Sequence, residues 1–185
     1  MNINCIFAIL ELMYKKLSSK VIFSHPRLVV EEDEIILSSG EKTKYLRYGY
    51  VGNGVVIVAR NNNSEILFIK EYSYVPNCKL LKLPMGKLEQ NESIESAANR
   101  ELQEETKYKA TTITKIGSFL QNHRRSLSKG YVVEASELIE SALPEEAEEL
   151  DIEIVWLPIA SISKHIQNSD IVDTDTLSSL RICGM

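Results

Sequence analysis

Glu101 and Glu105 stand one helical turn apart in a stretch, 93–107, whose other residues set the phase of a helix. With Ile94 at zero and about 100° per residue, Ala97, Ala98 and Leu102 gather beside Ile94, while Ser96, Asn99 and Gln103 lie opposite on the expected wet face. Glu101 and Glu105 fall at about −20° and +20°, in the middle of the apolar stripe. Moving the phase by half a turn buries Ser96, Asn99 and Gln103 and exposes Ile94 and Leu102, a worse amphipathic solution. Two ionised carboxylates aimed into a domain cost several kcal/mol unless a positive charge lies between them, and a divalent cation supplies one. Glu104 lies at the edge of the stripe, four residues after Arg100, the spacing at which the two side chains pair. Glu92, just before the helix, can reach back to the same region.

The order of these residues is also recognisable. Gly86, five residues, Glu92, seven residues and then Arg100-Glu101-Leu102-Gln103-Glu104-Glu105 resembles the Nudix box, Gly-x5-Glu-x7-Arg-Glu-U-x-Glu-Glu-x-Gly-U with U aliphatic or aromatic. Every charged position of the pattern is filled. Lys107 departs from it, standing where the last Gly ends the helix, and is expected to leave the helix through a left-handed or non-Schellman exit. The segments 68–72, 83–86, 97–102, 130–135 and 154–158 are similar to the branch that holds ADP-ribose pyrophosphatases and the ADP-compounds hydrolase.

The resemblance implies an α/β/α sandwich with a mixed sheet and an N-terminal β-strand extension. It implies hydrolysis of the pyrophosphate of ADP-ribose, a related ADP compound or a nucleotide sugar, giving a nucleoside monophosphate and a phosphorylated partner. Mg²⁺ or Mn²⁺ held by Glu101 and Glu105, with Glu104 and Gly86 completing the shell, suits an oxygen-only donor set better than zinc does. Arg100 and Glu104 join the catalytic group, and a glutamate from a loop after the box is implied as general base or extra ligand. Glu148 and Glu149 are the preferred candidates, ahead of Glu145 and Glu146. Tyr72 and Tyr74 are candidates to stack on a base, and Arg124 and Arg125 to bind the diphosphate or ribose through their guanidinium groups. Ser73 replaces an Arg often seen in ADP-ribose enzymes, and 120–126 lacks the proline of their Ser-Pro-Gly-like segment. These departures leave nucleotide sugars, NADH and dinucleoside polyphosphates open as substrates. Family members also suggest a homodimer built on the N-terminal strands, whereas loss of catalysis would leave a nucleotide-sensing module on the same fold. Acids retained on a buried face discriminate against that alternative.

The rest of the chain must carry this helix. Its 185 residues, 44% apolar, suffice for a core of ordinary size, and 8 glycines and 5 prolines exclude fibrous or largely disordered classes. A net charge of −5 argues against nucleic acid as a partner and against an RNA-cleaving channel, and 145–153 alone holds six acids and no base. Cys5, Cys78 and Cys183 form no metal-binding spacing and suggest a reducing, cytoplasmic setting. The apolar stretch 3–13 contains Glu11 and is too short to span a bilayer, so it reads as a docking helix or an over-long start before Met13, with no membrane partner. His25, His123 and His165 have no partners that spacing identifies.

Pattern predicts one domain from Val21 after an N-terminal extension, 1–20. Strands are expected at 28–30, 35–37 and 45–51, the first two leading into a Ser38-Ser39-Gly40 turn. The apolar runs 55–59 and 66–69, joined by Asn61-Asn62-Asn63-Ser64, read as a buried hairpin. Further strands are expected at 80–84, 111–119, 130–135 and 152–157, with helices from Pro158 to Gln167 and from a cap at Asp173 or Thr174 to Ile182. Strands interleaved with helices define an α/β layered domain.

Overall fold

The computed structural model describes residues 14–49, 52–141 and 151–185. The proposed docking helix in 3–13, the end of the strand at 50–51 and the base candidates Glu145, Glu146, Glu148 and Glu149 lie outside the described residues. The chain divides into two compact units, one of residues 1–51 and 122–128, the other of 52–121 and 129–185.

The first unit is an antiparallel meander of β1 (Tyr14–His25), β2 (Leu28–Leu37) and β3 (Lys42–Tyr48). β2 joins the two segments expected at 28–30 and 35–37 into one strand. The four acids between those segments are Glu31, Glu32, Asp33 and Glu34, and the flanking strands bring a base to three of them. Lys20 and Lys44 each lie 3.1 Å from Glu32, and Arg47 pairs with Glu31 and, at 2.7 Å, with Asp33. Gly40 closes the β2–β3 turn at φ 84°, in the left-handed region, and its N–H donates to the Leu37 carbonyl at 2.9 Å. β1 begins at Tyr14, inside the expected extension, and all of its residues are exposed, Leu17, Val21, Ile22 and Phe23 included.

The second unit contains β4 (Gly54–Ala59), β5 (Glu65–Ser73), β6 (Cys78–Lys82), β7 (Met85–Lys87), α1 (Ile94–Thr106), β8 (Tyr108–Leu120), β9 (Lys129–Glu140), β10 (Glu153–Pro158), α2 (Ile159–Gln167) and α3 (Thr174–Ile182). One mixed sheet has the order β7-β4-β9-β8, parallel only between β4 and β9, and a second, antiparallel, has the order β10-β5-β6. The expected hairpin of 55–59 and 66–69 is therefore corrected. Asn61 turns the chain, its N–H donating to the Glu65 carbonyl at 3.1 Å, but only the bridge Arg60–Ile66 joins the runs before they enter different sheets.

Burial on both faces explains why those runs carry no alternation. Val55, Ile57, Leu67 and Ile69 pack with Ala97, Ala98 and Leu102 of α1, while Val56, Val58, Ile66 and Phe68 pack with Ile162, Ile171 and Leu180 around α2 and α3. The second unit is thus layered α/β/α, with the first unit's strands as its N-terminal extension in sequence. No helix of the described residues is long and apolar enough to cross a membrane.

Candidate active site

α1 begins where its sequence predicts. Ser93 caps it by accepting from the Ser96 N–H at 3.1 Å, and Lys107 ends it in the left-handed region, φ 61° and ψ 21°, its N–H donating to Gln103 O at 3.0 Å. The phase holds on the apolar side. Ala97, Ala98 and Leu102 are fully buried and Glu101 is only 9% exposed among them. The opposite side is less wet than expected, because Asn99 exchanges two hydrogen bonds with the Ala110 backbone of β8, at 2.9 and 3.2 Å, and Gln103 donates to Ser141 Oγ at 3.0 Å. Polar groups enter a protein interior when they find partners, which a helical wheel does not display.

Arg100 is the hub of the box. Its Nε and Nη2 donate to the two oxygens of Glu92 at 3.0 Å each, a bidentate pair, and Nη1 donates to Glu101 Oε1 at 2.8 Å and to Glu104 Oε2 at 3.0 Å. Nη2 also donates to the Lys87 carbonyl at 2.9 Å, which ties α1 to β7. The hydrogen bonds from Arg100 hold the Glu92 carboxyl below its usual range, and burial only partly opposes them. Glu92, above all, raises the guanidinium in turn.

The other side of the site is backbone. At Gly86 a Cβ would lie 1.9 Å from Glu101 Cδ and 2.1 Å from each of its oxygens, so only glycine lets that carboxylate rest against β7. One residue earlier the Met85 N–H donates to Glu105 Oε2 at 3.0 Å. Burial raises the Glu105 carboxyl well above its ordinary value; the Lys82 charge opposes this and the Glu101 charge adds to it. Among the described residues no three His, Cys, Asp or Glu side chains form a ready-made cage for an ion. The donor set nevertheless fits a hard divalent cation. Two carboxylates meet one backbone segment, all donors are oxygens, and such ions keep several waters and take further oxygens from phosphate rather than needing a full protein cage.

The remaining candidates are scattered. Tyr72, half exposed, donates its hydroxyl to Asn77 at 2.7 Å across the β5–β6 turn, and Tyr74 in that turn is 86% exposed. Arg124 and Arg125 belong to the first unit. The Arg125 guanidinium lies over the Tyr45 ring at 5.3 Å and donates to Leu46 O at 2.6 Å, while the Arg124 carbonyl accepts from the Tyr45 hydroxyl. With His123, Tyr14, Arg47 and Tyr48 they line a cavity of about 640 Å³ within that unit. His165 meets Asp170 at 2.9 Å, Cys78 is exposed, and burial pushes the Cys183 thiol up to about 11, away from a reactive thiolate. Sequence reasoning missed Lys82, which pairs with Glu71 and feels Glu105. Its signal was a lysine in the strand running into the Gly86 turn, and recognising it required the register of β5 against β6.

Comparison with known proteins bears on the box directly. Residues 51–174 match the NUDIX domain. The chain belongs to the Nudix family. The chain is similar to the ADP-ribose pyrophosphatase of Bacillus subtilis, 26% identical over 171 residues that cover 90% of each chain. The methanol dehydrogenase activator of Bacillus methanolicus is 24% identical over 169 residues, again 90% of each. The ADP compounds hydrolase NudE of Escherichia coli is 24% identical over 151 residues, 82% of this chain and 81% of that one. A solved structure titled as the crystal structure of an ADP compounds hydrolase superposes with a TM-score of 0.86 at 24% identity, covering 93% of this chain and 92% of the other, which establishes the shared fold. The protein is a Nudix pyrophosphohydrolase, a family whose enzymes generally use divalent metal ions.

Proposed function

We propose that the protein hydrolyses the pyrophosphate bond of ADP-ribose, a related ADP compound or a nucleotide sugar, giving a nucleoside monophosphate and a phosphorylated partner. The observation that carries this reading is the delivery of Glu101 and Glu105 from one helix face onto the Met85-Gly86 backbone, with Arg100 holding Glu92, Glu101 and Glu104. The similarity to an ADP-ribose pyrophosphatase and an ADP compounds hydrolase supports the substrate class.

Glu101 and Glu105, with Glu104 and the backbone at Gly86, would hold Mg²⁺, with Mn²⁺ as a substitute. When bound, the cation neutralises pyrophosphate charge and lowers the pKa of water. The chain's own residues do the rest. Arg100 fixes the rotamers of Glu101 and Glu104, Gly86 leaves the space in which the Glu101 carboxylate rests, and Glu148 or Glu149 takes the proton of the attacking water. Tyr72 and Tyr74 offer exposed rings for a base, and Arg124 and Arg125 offer cations for phosphate or ribose. The apolar side chains exposed along β1 support a homodimer formed through the N-terminal strands, and the cysteine usage supports a cytoplasmic setting.

The test is product analysis. The purified protein is incubated with Mg²⁺ and ADP-ribose, NADH, diadenosine polyphosphates or sugar nucleotides, with Glu105→Gln as control. AMP and a phosphorylated partner, absent with the variant, are expected from at least one ADP compound. Tight binding of one compound with no turnover of any would replace this proposal with a sensing module.

A further inference from the structure

Lys82 ends β6, outside the box, yet carboxylates from three elements act on it. Glu71 of β5 pairs with it directly, and the charges of Glu105 on α1 and of Asp173, the cap of α3, reach it as well. The backbone around it is pinned. The fully buried Leu83 donates its N–H to Thr176 Oγ1 at 3.0 Å, Thr176 donates its own N–H to Asp173 Oδ2 at 2.8 Å, and Met85 donates to Glu105. The Lys82 side chain is 20% exposed, so its charge acts through protein more than through water. Burial works against the ammonium, but Glu105 and Glu71 outweigh it and the group stays charged.

Resting on the reading of Glu101 and Glu105 as cation ligands, we propose that Lys82 is a positioning residue, a resident ammonium that compensates Glu105 and Glu71 and thereby sets how tightly the site takes a divalent ion. Without Lys82, Arg100 still serves Glu101, but Glu105 and Glu71 lose their ammonium and the repulsion of Glu105 by Glu101 and Glu71 is left for a dication to compensate. With Lys82 present, the arriving dication gains less from the same carboxylates and meets a like charge. The consequence is a site of moderated affinity, in which the phosphate oxygens of the substrate matter more for holding the ion.

Mn²⁺ binding to the full-length protein without substrate, followed by electron paramagnetic resonance and calorimetry, tests this. Lys82→Met keeps the length of the apolar stem and removes the charge, and is expected to bind Mn²⁺ about tenfold more tightly, while Lys82→Arg stays within about twofold of the native protein. Lys82→Gln, read the same way, serves if the methionine variant does not fold. Unchanged or weaker Mn²⁺ binding in a folded charge-free variant, with the native protein binding normally, would overturn the role of Lys82 alone. No Mn²⁺ binding by the native protein would overturn the ligand reading of Glu101 and Glu105, and the inference with it.

Discussion

Two regions of this molecule concentrate acids, and they use them differently. On β2, Glu31, Glu32 and Asp33 face Lys20, Lys44 and Arg47 from the neighbouring strands, three carboxylates against three bases. In the box, Glu92, Glu101, Glu104, Glu105 and Glu71 meet Arg100 and Lys82, five carboxylates against two cations. Matched charges on a sheet knit strands together and are satisfied within the fold. Carboxylates that share one arginine and are drawn onto a glycine backbone stay in net excess of negative charge, which a cationic ligand can meet. An acid cluster is therefore informative about chemistry through the excess of its acids over the bases they share, more than through its number of acids.

Breaking the box should have the largest effect. Glu101→Gln and Gly86→Ala are each expected to lower turnover by a factor on the order of 100 or more, the first by removing a carboxylate and the second by displacing it, as steady-state kinetics on the best substrate will read. Glu105→Gln should lose activity similarly.

Arg100→Met should destabilise by about 2 kcal/mol in urea unfolding, since Glu92, Glu101 and Glu104 lose a shared partner at 12–17% side-chain exposure. A loss below about 0.5 kcal/mol would mean that these acids behave as solvated surface charges.

In the matched region the effects should be smaller and additive. Asp33→Asn should cost about 1 kcal/mol at neutral pH. Burial pushes the Asp33 carboxyl up, but hydrogen bonds from Arg47 and Ser19 and the Arg47 charge outweigh it and leave the group below its usual range. The stability it contributes is therefore present above the ordinary carboxylate pKa and lost as pH falls through the lower folded value, so the gap between native and Asp33→Asn should close on acidification below about pH 4. Lys20→Ala should leave the melting temperature unchanged, since Lys44 also serves Glu32 and both lysines are well exposed.

Local spacing made several of these features legible. The wheel placed Glu101 and Glu105 among alanines and leucine, the order of the box identified the Arg100 hub, and Ser93, Lys107 and Asp173 marked helix ends where they occur. Illegible features depend on which distant segment arrives. That the segments 28–30 and 35–37 form one strand depends on β1 and β3, which pair along it and supply bases to its acids, and Asn99 looked solvated until Ala110 met it.

The sequence by itself determined the face that α1 presents, its caps and the identity of its carboxylates, because helical periodicity and capping are properties of residues three or four apart. Only the tertiary structure decided that β4 and β5 enter different sheets, that Arg125 stacks on Tyr45, and that Lys82 stands among Glu71, Glu105 and Asp173. Those outcomes follow from strand register and packing between segments far apart in the chain, and apolar runs buried on both faces carry no period from which a partner can be read.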